Sequence, residues 1–84
     1  MTITLLSKTP CVQCDATKRK LDADGLDYNK DDIYAEENMA IVQELGYMAA
    51  PVVLVRDAEG QIVKHWSGFN PTKIAELASE LKAA

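Results

Sequence analysis

Long apolar runs are missing from this 84-residue chain, and so is any dense block of Lys and Arg. No stretch approaches the roughly 18 to 20 apolar residues of a membrane-crossing helix, so no membrane partner is expected. Nine basic against 13 acidic residues leave a net charge of −4. Affinity for a phosphate backbone rests on clustered Lys and Arg, so nucleic acid is not an expected partner either. The opening "MTITLLSK" has no basic start, long apolar core or small-residue cleavage site, and does not read as a signal peptide. A reducing cytoplasm is the expected setting. Histidine is limited to His65, and cysteine to Cys11 and Cys14. A structural zinc takes four ligands, typically two Cys pairs or one pair with two His, and this set falls short. Covalent haem needs a His directly after the second Cys, where Asp15 stands. No repeat, linker or low-complexity stretch interrupts the chain. The length suits one compact domain over residues 1–84.

The apolar pattern supplies the elements. "TITLLS" (2–7) reads as a first strand, ended by Pro10. From about residue 12 the pattern is helical, with Cys14, Lys18 and Leu21 in step and Gly25 suited to a left-handed cap. "DYNKDDI" (27–33) is a weaker strand. Residues 36–45 form a second helix with Met39, Val42 and Leu45 as its stripe and Gly46 at its end. "PVVLV" (51–55) is short, apolar and β-branched, as in a strand covered on both faces. "RDAEGQ" then turns, with Gly60 at the left-handed position of a bulged hairpin, and "QIVKHW" (61–66) returns. Asn70 and Pro71 open a last helix whose stripe is Ile74, Leu77, Ala78 and Leu81. The order βαβαββα, with a right-handed βαβ crossover, implies an α/β fold: a four-stranded mixed sheet covered by three helices.

Two cysteines in "TPCVQCDATKRK" (9–20) raise the question of their chemistry. A disulfide stabilises mainly by closing a loop in the unfolded chain, and this pair closes almost none. In a reducing cytoplasm a cycling disulfide is usually catalytic. Helical i and i+3 positions share a face, and an N-cap residue free of helical torsions lets the two sulfurs meet. Cys11 at the helix start would face amide N–H groups lacking intrahelical partners and the positive end of the dipole. An unperturbed thiol, with a pKa of about 8.5, is only about 3% thiolate at pH 7, and bringing it to half takes about 2 kcal/mol. Cys14, one turn inward, should stay protonated until needed. Cys11 is therefore expected to attack and Cys14 to resolve. Lys8 is a candidate for lowering the Cys11 pKa further, its competing reading being a solvated strand-end lysine. Pro51 opens the buried strand, and its residues alone leave open whether its peptide bond is cis.

A CxxC after a first strand, "MAAPVV" before a β-run and a final helix together resemble the thioredoxin fold. More narrowly, "CVQC" followed by "DATKRKL", and "WSGF" followed one residue later by a proline, resemble the NrdH-redoxins, which are glutaredoxin-like in sequence and thioredoxin-like in activity. The likeness spans essentially the whole chain. It implies a cis Pro51 beside the CxxC, with the backbone of Ala50 offering an incoming peptide a β-pairing edge. It also implies a dithiol electron donor to class Ib ribonucleotide reductase, acting on a cysteine pair on the large subunit's tail. Reduction would come from the flavoprotein thioredoxin reductase and NADPH, with no cofactor bound by this chain itself, which would act as a monomer. Ser67, Gly68 and Phe69 carry over with Pro51 as partner-binding positions, as does Trp66, the better candidate for an exposed docking platform, and Pro71 carries over as part of the same motif. Phe69 is expected to pack locally, His65 to be a surface strand residue, and "DDIYAEEN" a solvated face and helix start.

The chain departs from the family where Asn70, Pro71 and Thr72 replace the common Arg-Pro-Asp, and its hairpin is longer than usual. These changes bear on partner affinity rather than on the cysteines. Two other readings compete. Glutathione-dependent glutaredoxins usually have a Gly-Gly pair and an acidic residue near the last helix, and "SGFNPTK" has neither. A non-catalytic scaffold would have no use for an intact cysteine pair.

Overall fold

The computed structural model describes residues 1–83. Its elements are β1 (Thr2–Ser7), α1 (Val12–Ala23), β2 (Asn29–Asp32), α2 (Glu36–Glu44), β3 (Val52–Arg56), β4 (Ile62–Ser67) and α3 (Pro71–Ala83). The order matches the expected βαβαββα. The sheet runs β2-β1-β3-β4. β1 pairs with β2 in parallel, and β3 is antiparallel to both β1 and β4. Central strands are buried on both faces, and Val52 to Val55 of β3 are all inaccessible to solvent.

Alternation along the strands sorts the core into two halves. Ile3, Leu5, Val53 and Val55 face one side, where Leu21 of α1 and Ile74, Leu77 and Ala78 of α3 meet them. Leu6, Val52 and Leu54 face the other and pack on Val42 of α2. Each fully buried aliphatic side chain contributes about 1.5–3 kcal/mol of transfer free energy.

The helix ends follow their local chemistry. Gly25, Gly46 and Gly60 all take φ between 70° and 82°, as the caps and hairpin require. The side-chain oxygen of Asn70 accepts from the Lys73 N–H at 3.0 Å, an N-cap made with a neutral residue. In the hairpin, the Asp57 carboxylate accepts from the Glu59 and Gln61 N–H groups. A separate register slip, between Val55 and Arg56, skips Val63 of β4, a bulge the sequence did not suggest.

The pairing of β4 corrects the expectation for Trp66. Trp66 lies opposite Val53, whereas Ile62 lies opposite Arg56, so the two residues face opposite sides of the sheet despite their even spacing. The indole therefore enters the core beneath α1 and α3 and is only 5% exposed. It is not a surface platform. α2 also buries a polar residue in its stripe: the Asn38 amide donates to the Asp32 carbonyl at 2.8 Å.

Candidate functional site

Cys11 sits at the N-cap of α1 with extended torsions, φ −159° and ψ 105°. Its carbonyl accepts the first helical bond, from the Asp15 N–H at 3.1 Å. Its sulfur accepts from the Cys14 N–H, also at 3.1 Å. A negatively charged sulfur would use the same donor more strongly, at the positive end of the helix dipole. The two cysteines are joined in a disulfide, with Cα atoms 5.2 Å apart. Cys11 is half-buried, whereas Cys14 is only 4% exposed. The asymmetry expected between the two sulfurs is present.

Two further loops, 49–51 and 67–69, are joined to each other by hydrogen bonds. The Ala50–Pro51 bond is cis, as the resemblance implied, and Thr9–Pro10 is cis as well, which the residues did not suggest. Pro51 itself is buried, and Ala50 is half-buried. Among the described residues, no hydrogen bond is made to the backbone N–H or C=O of Ala50. The Ser67 hydroxyl donates to the Ala49 carbonyl at 3.1 Å, and the Gly68 N–H to the Pro51 carbonyl at 2.9 Å. Gly68 has φ 82°, a conformation that L side chains rarely adopt. Ala50, Pro51, Ser67 and Gly68 therefore do lie together. Phe69, past the end of β4 and released from its alternation, is 40% exposed rather than packed away.

Gln13, between the cysteines, was not among the expected site residues. Its Oε1 accepts from the Phe69 N–H at 3.1 Å, bridging 56 positions. No local signal reveals that reach, because it depends on how β4 enters α3.

Two hollows share Lys8 on their walls, and one of them reaches the sulfurs. One, of about 140 Å³, is lined by Lys8, Cys11, Cys14, Asp15, Lys18 and Lys30. None of the three lysines has an ion-pair partner among the described residues. Lys8 is thus beside the cysteines, with Lys18 and Lys30 as companions the spacing did not single out. The other, of about 340 Å³, lies between α2 and the Ala50 loop, where Tyr34, Met39, Val42, Met48 and Ala49 line it. His65 is exposed as expected, and its Nδ1 hydrogen-bonds the Tyr47 hydroxyl at 2.7 Å. No group of His, Cys, Asp and Glu among the described residues is arranged to hold a metal, and no described helix is long and apolar enough to cross a membrane.

Comparisons with known proteins agree with this geometry. The Glutaredoxin family profile matches residues 3–59. The glutaredoxin-like protein NrdH of Escherichia coli K12 is 33% identical over 78 residues, covering 92% of this chain and 89% of that one. The protein of the same description from Lactococcus lactis subsp. cremoris is 34% identical over 77 residues, covering 90% and 99%. In three dimensions the chain is similar to E. coli NrdH-redoxin, described as glutaredoxin-like with a thioredoxin-like activity profile. There the TM-score is 0.78 at 33% identity, over 92% of this chain and 95% of that one. The thioredoxin-like sheet, the CxxC at a helix start and these matches together make the chain a member of the glutaredoxin family, an NrdH-type thiol–disulfide oxidoreductase with Cys11 and Cys14 as its disulfide-forming pair.

Proposed function

We propose that this protein carries electrons to class Ib ribonucleotide reductase and is itself reduced by thioredoxin reductase at the expense of NADPH, in a reducing cytoplasm. The observation that carries the chemistry is the unequal placement of the two sulfurs: one half-exposed and facing an amide donor, the other enclosed. The thiolate of Cys11 attacks one sulfur of the partner's disulfide. That S–S bond breaks, a mixed disulfide forms, and the departing partner thiolate takes up a proton. Cys14 then gives up its proton and attacks Cys11 Sγ. The mixed disulfide breaks, the partner leaves with two thiols, and the Cys11–Cys14 bond seen here is formed. A hydride from NADPH, passed by way of the reductase flavin, supplies two electrons and one proton, and a second proton from solvent completes the return to the dithiol. This chain binds no cofactor of its own in that cycle.

Partner docking uses the Ala50 backbone beside cis Pro51 and the Ser67–Phe69 loop. The open backbone groups of Ala50 suit a short β-pairing with an extended tail. Lys8, on the sulfurs' own hollow, adds positive charge that favours the thiolate. Trp66 acts from beneath, by holding the end of β4 in the core.

The test is a coupled assay with NADPH, thioredoxin reductase, this protein and ribonucleotide reductase, run in parallel with glutathione and glutathione reductase. Electron flow through thioredoxin reductase to the terminal enzyme supports the proposal. Rapid turnover with glutathione alone overturns it in favour of a glutathione-dependent glutaredoxin.

A further inference from the structure

Gln13, between the two cysteines, makes a specific long-range contact that thiol exchange itself does not use. We propose that it is a positioning residue for partner docking, because its amide oxygen fixes the 67–69 loop to the redox turn. The proposal rests on reading the site as one that exchanges disulfides with another chain.

Three hydrogen bonds make one continuous connection. The Phe69 N–H donates to Gln13 Oε1, the Gly68 N–H to the Pro51 carbonyl, and the Ser67 hydroxyl to the Ala49 carbonyl. The last two tie the loop to the Ala50 edge, and only the first ties it to the helix that bears the sulfurs. Gly68 fits closely under this contact: a Cβ there would lie 3.4 Å from Gln13 Oε1. Phe69 keeps its backbone N–H occupied by Gln13 while its ring stays partly exposed beside the turn. A partner meeting both Phe69 and Cys11 thus finds them at a fixed separation. Without the Gln13 oxygen, that separation is held only indirectly, through the Ala49–Pro51 segment, and the loop must be ordered when the partner binds.

The role is one of acceptor geometry, so the test uses Gln13→Ala, which removes the oxygen, and Gln13→Glu, which keeps one. Two quantities are measured: amide hydrogen exchange at Phe69, and the kinetics of insulin disulfide reduction with dithiothreitol as reductant. One hydrogen bond of ordinary net strength corresponds to a change of about three- to tenfold. In Gln13→Ala, Phe69 exchange and the KM for insulin should each rise by about that factor, with kcat within about twofold of wild type. Gln13→Glu should return both towards wild-type values. Unchanged Phe69 exchange or unchanged KM in Gln13→Ala overturns the role, as does a fall in kcat at constant KM, which would place Gln13 in the sulfur chemistry. A wild-type protein unable to reduce insulin would instead overturn the reading of the site itself.

Discussion

Cys11 and Cys14 are one helical turn apart and differ in their access to solvent, and single substitutions read that difference. Cys11→Ser should abolish insulin reduction, whereas Cys14→Ser should trap a mixed disulfide with the partner, visible by mass spectrometry under non-reducing conditions. In the reduced protein, iodoacetamide at neutral pH should modify Cys11 first; faster labelling of Cys14 would reverse their roles. The N-cap position of Cys11 was legible in the sequence because Pro10 stops the strand and the apolar helical pattern starts just beyond it. The direction of Trp66 was not. Nothing in "IVKHWS" says which face of the sheet carries the indole, and only its pairing opposite Val53 puts it in the core. Trp66 is the sole tryptophan, so its fluorescence checks the correction. Emission should be blue-shifted in the native protein and move to longer wavelength only on unfolding. Trp66→Ala should cost about 3–5 kcal/mol of stability in chemical denaturation.

At the scale of elements, caps and turns were the most readable features, because their chemistry is local. Asn70→Ala removes the acceptor for the Lys73 N–H and should destabilise the protein by about 1 kcal/mol. The turn between β2 and α2 was less transparent. Asn38 occupies a stripe position that a purely apolar pattern overlooks, and its role depends on where β2 ends. The Asn38 amide and the Asp32 N–H hold the Asp31 carboxyl below the usual carboxylate range. A carboxyl depressed in the folded state contributes stability that is complete above its unfolded pKa and is lost as pH falls through the folded value. Acid titration of unfolding should therefore show a loss below the ordinary carboxylate range that Asp31→Asn removes. Because Asp31 is fully exposed, solvent screening keeps that contribution small.

For the whole molecule, topology was legible because two periods suffice to describe it: alternation in the strands and a 3.6-residue stripe in the helices. "PVVLV" announced a strand covered on both sides, and β3 takes that place between β1 and β4. Leu54→Ala, in the middle of that strand, should lower stability by about 2–5 kcal/mol, seen as a shift of the urea midpoint at constant m-value. Contacts between distant segments were beyond the reach of periodicity. Gln13 meets Phe69, and Lys30 joins Lys8 and Lys18 around the sulfurs, only after the sheet order brings β2 and the start of α3 to the same end. Composition hinted at no such gathering of positive charge, since the chain as a whole is acidic.

The enclosure of Cys14 carries a consequence for traffic through the protein. In the proposed cycle every partner, reductant or client, enters and leaves by a single door at Cys11. A client that stalls there blocks the doorway, and small thiols in solution have little approach from behind. Release then depends on the inner sulfur alone, which makes the carrier a turnstile that admits one passenger per turn.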